Sequence, residues 1–230
     1  MVKMANKKFF QLSDTAKEVT GFFINPDCFL RLYKENLEIE WNSTLYHYLF
    51  DNVPYAFKDI PLLYNNIKQY LAVRLNIHVY DVHLVGSAQL GFSLSPPKYG
   101  KAYSDKSDLD MVVVNERLFN AVAEEASRWR DDYKNGDVEP GKNYSVKNWE
   151  DNYQRIPNYL GRGFIDNTKI PSFERYPHVK SIYGVMAQLR RDLHDYHGFF
   201  IGFSSIRIYR DIQSFYAQVM LNANNAMRNV

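Results

Sequence analysis

Four apolar residues in a row, Met111-Val112-Val113-Val114, follow the aspartates Asp108 and Asp110, and this run limits the possible folds most sharply. Side chains of a strand alternate between two faces, so a half-exposed strand needs only every second residue apolar. An unbroken apolar run needs cover on both faces, as a strand inside a layered domain has. We therefore read Asp108–Val114 as one strand. Val79–Val85, β-branched and apolar, reads as an earlier strand ending at Gly86-Ser87, and Phe199–Tyr209 as a later one.

Helical patterns surround these runs. Asn25-Pro26-Asp27 predicts a turn and helix start, and Asn42-Ser43-Thr44 predicts the cap of a second helix through Phe50. Apolar residues in Lys58–Leu75 follow a helical stripe, as do Leu118, Val122, Ala126 and Trp129 within 117–133. Residues 145–160, 177–195 and 211–222 are also expected to be helical, and 93–107, with Pro96, Pro97 and Gly100, a loop. Helices, strand, loop, strand, helices, strand and helix in that order make a mixed α/β or α+β domain.

The chain has 230 residues, 46% of them apolar and 23% charged. That is enough for a real core and excludes disorder or a disulfide scaffold. The single cysteine, Cys28, excludes an internal disulfide and a multi-cysteine zinc site. No apolar run approaches the ~18 residues of a membrane span. The first ten residues carry charge without an apolar stretch behind it, so a cytoplasmic protein with no membrane partner is expected. A net charge of +2 argues against a protein that coats nucleic acid by charge alone. Residues 179–230, however, hold six basic and three acidic side chains, which suits a phosphate-bearing ligand. His178, His194 and His197 lack a metal-ligand pattern, and Trp129 and Trp149 are expected in the core.

The chemistry concentrates in two short segments. On a strand, Asp108 and Asp110 would share a face while Leu109 points into the packed side. Two carboxylates so placed repel unless a hard divalent cation lies between them, and such an ion also takes phosphate oxygens. Gly86 lets the backbone approach a phosphate closely, and Ser87 can cap the next helix or donate its hydroxyl.

This combination resembles the DNA polymerase β-like nucleotidyltransferase superfamily, in its minimal or signalling-type bacterial branch. The resemblance rests on Gly86-Ser87 after an apolar strand and on Ser107-Asp108-Leu109-Asp110 opening the next; it covers roughly residues 58–133. It implies an α+β fold, a small mixed β-sheet packed against helices, with extra N- and C-terminal helices. The implied division is an N-terminal helical extension at 1–57 and a nucleotidyltransferase-like domain at 58–230. It implies Mg²⁺ or Mn²⁺ on the catalytic pair Asp108 and Asp110, and a nucleoside triphosphate held by Gly86 and Ser87. Lys98, Lys101 and Arg207 are further candidates for its phosphates.

The spacer from Ser87 to Asp108 is longer than the usual signature, and Gln89-Leu90 replaces a basic residue common after Gly-Ser. The family's third carboxylate is not identifiable, because Arg207 occupies the middle of the third strand and Asp211 only its end. The expected activity is transfer of a nucleoside monophosphate to a protein, RNA end or nucleotide, in bacterial stress or antiviral defence. The expected partners are the triphosphate, a partner protein or RNA as acceptor, and a second copy of the chain in an oligomer. The alternatives are a catalytically inactive nucleotide sensor or interaction subunit, and an RNA-binding module using the basic C-terminal segment.

Overall fold

The structure, a computed structural model, describes residues 12–35, 38–104, 106–141, 145–199 and 205–230. It is a mixed α+β protein whose chain divides into two compact units. One takes the chain up to Pro61 with Val85–Ser104 and Met220–Val230, and the other takes Leu62–Leu84 and Asp105–Val219. The boundary expected after residue 57 falls within the first run, to which a mid-chain segment and the C-terminus are added.

Nine α-helices occur among the described residues. They are α1 (Asp14–Glu18), α2 (Pro26–Glu35), α3 (Glu38–Tyr46), α4 (Pro61–Leu75), α5 (Ser87–Leu90), α6 (Glu116–Asn135), α7 (Val146–Gly161), α8 (Pro177–His197) and α9 (Ile212–Arg228). The strands are β1 (Val82–Val85), β2 (Asp110–Val114), β3 (Phe164–Asp166) and β4 (Ile206–Tyr209), and together they make one sheet in the order β1-β2-β4-β3. No helix among the described residues is long and apolar enough to cross a membrane.

In the first unit, α2 begins where Asn25-Pro26-Asp27 predicts, with the Asn25 side chain accepting from the Cys28 N–H at 2.8 Å. Phe29 and Leu32 of α2 are buried, and Phe29 meets Trp41 and Phe92 edge-on. The Trp41 indole donates to Asn224 at 2.8 Å, tying the C-terminal helix into this core. α3 starts at Glu38, so Asn42-Ser43-Thr44 lies inside a helix instead of capping one. Ser43 and Thr44 donate back to the Ile39 and Glu40 carbonyls, satisfying their hydroxyls without ending the helix. The helix then loosens into a π turn at His47–Asp51.

The second unit holds the sheet's centre. β2 runs parallel to β4, with Met111 opposite Ile206 and Val112 opposite Arg207. β3 is antiparallel to β4, with Phe164 opposite Tyr209 and Asp166 opposite Arg207. Met111, Val112 and Val113 are buried on both faces, as their unbroken apolar run predicts. β1 begins at Val82, not Val79, because the His78 and Asp81 side chains cap a 3₁₀ turn over Val79–Asp81. Of the expected strand at Phe199–Tyr209, residues 200–204 lie outside the described residues, and β4 starts at Ile206.

α6 buries Leu118, Val122, Ala126 and Trp129 along one side and packs on β3, β4, α7 and α8. Asn115 caps it by accepting from the Leu118 N–H at 3.0 Å, and Gly136 ends it in the left-handed region. Trp129 stacks on Tyr133 and meets Trp149 edge-on, so both tryptophans are core residues. Glu125, fully buried on α6, accepts from the first free N–H groups of α8 at His178 and Val179, and its carboxylate also meets the His178 ring. His178 is thus fixed by a carboxylate of the scaffold.

Candidate functional site

The acidic pair opens β2. The strand begins at Asp110, so Asp108 precedes it instead of lying on it. The Met111 N–H donates to the Leu109 carbonyl at 3.1 Å, closing a tight turn centred on Asp110. The expected alternation survives this shortening. Leu109 is buried at 2% exposure, while Asp108 and Asp110 are both solvent-accessible. An apolar anchor between two acids is enough to present both carboxylates outward.

Asp110 is held above the ordinary carboxylate range. Burial by the surrounding protein is the largest cause, followed by the Asp108 charge; Arg207 opposes the shift and Asp166 adds to it. Asp110 is nonetheless solvent-exposed, and among the described residues no ion pair engages its carboxylate.

The fourth charge in that account comes from β3, a strand that the sequence pattern does not reveal. Gly163 turns the chain at φ +75, where an added Cβ would collide with the Ser214 hydroxyl, and Phe164 and Ile165 are buried. Only three residues follow before the next turn, too few for a period-two pattern to register. Asp166 ends the strand, 9% exposed as a residue, directly opposite Arg207. The guanidinium grips it with both forks, Nε donating at 2.9 Å and an Nη at 3.2 Å. The same guanidinium lies 5.2 Å from the Phe164 ring centre. Burial works against its charge, but Asp166 more than offsets that and holds the Arg207 pKa above its ordinary value.

Arg207 is therefore brought beside the acidic pair, with its fork committed to Asp166 and not open toward a phosphate. Asp211, the other acid near β4, caps α9: its carboxylate accepts from the Ser214 N–H at 2.7 Å and from Arg210 at 2.8 Å. Arg210 first, and then that backbone bond, pull its pKa down to about 2.

Gly86, Ser87, Lys98 and Lys101 belong to the first unit. Gly86 sits at φ 72 and ψ −152 immediately before α5, a backbone region that favours glycine, and Ser87 is half-buried at the helix start. Gln89, standing where a basic residue is common in the resembled family, is buried and donates to the Tyr48 and Asn52 carbonyls, satisfying the end of the π turn. Lys98 and Lys101 are exposed on a segment closed by a bridge between Phe92 and Ala102. There the Ser93 N–H donates to the Lys101 carbonyl and the Tyr99 hydroxyl to the Pro26 carbonyl. The loop expected at 93–107 is thus closed across residues 92–102.

Among the described residues, no group of three or more His, Cys, Asp or Glu side chains is placed to hold a metal ion. Magnesium does not require one, since it is commonly bound by one or two carboxylates, waters and substrate phosphates. Two exposed carboxylates on either side of the buried Leu109 are a donor set that such an ion, shared with a phosphate ligand, can take. No family model matches the sequence, and neither a curated protein nor a solved structure matches the chain.

Proposed function

We propose that the protein is a metal-dependent nucleotidyltransferase acting in the cytoplasm, which moves a nucleoside monophosphate from a triphosphate to a protein, RNA-end or nucleotide acceptor. The carrying observation is the exposed Asp110, close in the chain to Asp108 and without an ion-pair partner among the described residues, while Arg207 is held by Asp166. Asp108 and Asp110 would hold Mg²⁺ or Mn²⁺, which when bound neutralises charge on the triphosphate and on the leaving pyrophosphate. The acceptor oxygen bonds to the α-phosphorus, the bond to the bridging oxygen breaks, and pyrophosphate leaves. The proton lost by the acceptor goes to Asp166, the acid that sequence patterning misses, once Arg207 yields one fork.

A second reading, a nucleotide sensor without turnover, is favoured by the bidentate hold of Arg207 on Asp166, which occupies both oxygens of the third acid. One experiment separates the two. The protein is incubated with each α-labelled nucleoside triphosphate, Mg²⁺ or Mn²⁺, and protein, RNA and nucleotide acceptors. Label transfer with matching pyrophosphate release, abolished by Asp108→Ala, is the expected result. Saturable binding without pyrophosphate in every combination establishes the sensor and removes the transferase.

A further inference from the structure

The second unit carries a recess, with a volume of about 330 Å³, between α7 and the 3₁₀ turn Asn167–Lys169 that follows β3. Small-molecule sites typically begin near this size, at roughly 300 Å³. Asn148, Asp151, Asn152 and Arg155 line one wall. Their spacing of three, four and seven residues places them on one face of α7. Thr168 and Lys169 line the other wall, and the buried Trp149 also borders the recess.

The charges here are not used by the scaffold. Among the described residues, no hydrogen bond or ion pair engages the side chains of Arg155 and Lys169. Asp151 stands four residues before Arg155, at ion-pairing distance along a helix, yet the two are not bridged. A structural salt-bridge face would have closed that pair. Two cations and two amides without partners, facing one recess, form a donor-rich wall suited to a phosphate. Asp151 is an acceptor that repels an anion but suits hydroxyl groups, as do the amide oxygens of Asn148 and Asn152.

We infer that the recess between α7 and Lys169 binds a phosphorylated sugar, with Arg155 and Lys169 on the phosphate and Asp151 with the two asparagines on the sugar hydroxyls. A free sugar phosphate and the ribose-phosphate part of a nucleotide share this chemistry. The site is separate from the acidic pair and does not rest on the transferase reading.

Calorimetric titrations of the full chain with ribose 5-phosphate, each nucleoside 5′-monophosphate, ribose and inorganic phosphate test this. Saturable binding of ribose 5-phosphate or a monophosphate is expected, at least tenfold tighter than inorganic phosphate or ribose. Arg155→Ala and Lys169→Ala should each weaken it about tenfold or more, the scale of a lost charge-assisted hydrogen bond. Asp110→Asn should leave it unchanged. Tightest binding of ribose 5-phosphate identifies a sugar phosphate, whereas preference for one monophosphate identifies a nucleotide. No binding at millimolar ligand, equal binding of inorganic phosphate, or indifference to both cation variants overturns the assignment. Unchanged circular dichroism of the variants confirms that losses arise at the site.

Discussion

β2 and β3 flank the same strand, β4, and both bring acids to its vicinity, but they treat the charge in opposite ways. Asp166 on β3 is matched by Arg207 across the ladder, both forks engaged. Asp110 on β2 has no ion-pair partner among the described residues and is raised, by burial first and then by Asp108, with Arg207 opposing. One residue thus separates an acid that the scaffold neutralises from an acid that it leaves unpaired. In register, Arg207 stands opposite Val112 on β2 but opposite Asp166 on β3, which is why its fork serves the latter. The unpaired acid has no structural partner to serve, and the proposed chemistry is therefore placed at Asp110.

The largest expected effect breaks the comparison on the β2 side. Asp110→Asn should lower label transfer by at least about 10²-fold, as loss of a group that stabilises transition-state charge does. The fold should survive, because the substitution removes a repulsion. Retained transfer at the wild-type rate would move the chemistry away from β2.

Next comes the matched side. Arg207→Ala should destabilise the protein by about 2–3 kcal/mol in denaturant unfolding. That lies below the range for fully buried pairs, because the arginine side chain is 35% exposed. The double variant Arg207→Leu with Asp166→Asn should recover most of the loss, since no charge is then left unpaired. If Arg207→Ala proves neutral, Asp166 is already well solvated, and the contrast between the strands disappears.

pH sharpens the distinction further. Asp110 is raised, so the folded protein holds a proton that the unfolded chain releases. Without metal, stability should therefore fall as pH climbs from the ordinary carboxylate range through the raised value, and Asp110→Asn should remove that slope. Added Mg²⁺ should raise the melting temperature above that window and lose its effect below it. His83 on β1 acts in the opposite sense. Burial and then Lys68 push it down to about 4, so its contribution should be lost as pH falls from about 6.5 toward 4. Melting curves of Asp110→Asn and His83→Phe across pH 3–8 separate the two.

The smallest effect concerns the remaining acid near β4. Asp211→Ala should cost about 1 kcal/mol, the usual scale of a lost helix cap, with little effect on transfer. The wild-type advantage should be full above the ordinary carboxylate pKa and fade as pH drops toward about 2. A large loss of activity would instead mark Asp211 as the third acid and demote Asp166.

Strong periodic signals translated directly into structure. The apolar stripe of α6, the Asn25 start, and the doubly covered valines of β2 depend on neighbours a few residues apart. Local competition displaced weaker signals: the His78–Asp81 cap postponed β1, and hydroxyl bonds to preceding carbonyls absorbed Ser43 and Thr44 into α3. The candidate site was half legible. Asp108 and Asp110 stand out because an apolar residue between two acids fixes their direction. Asp166 does not, because a three-residue strand is shorter than the repeat that identifies strands.

By itself, then, the order of residues determined that this chain has a two-sided core strand led by paired carboxylates, since burial of alternate side chains is written in the chain's own spacing. Which acid receives the one nearby guanidinium was decided only in three dimensions. That choice depends on the antiparallel register of β3 on β4, and register joins residues 41 positions apart in the chain. No local rule of propensity or periodicity reaches that far.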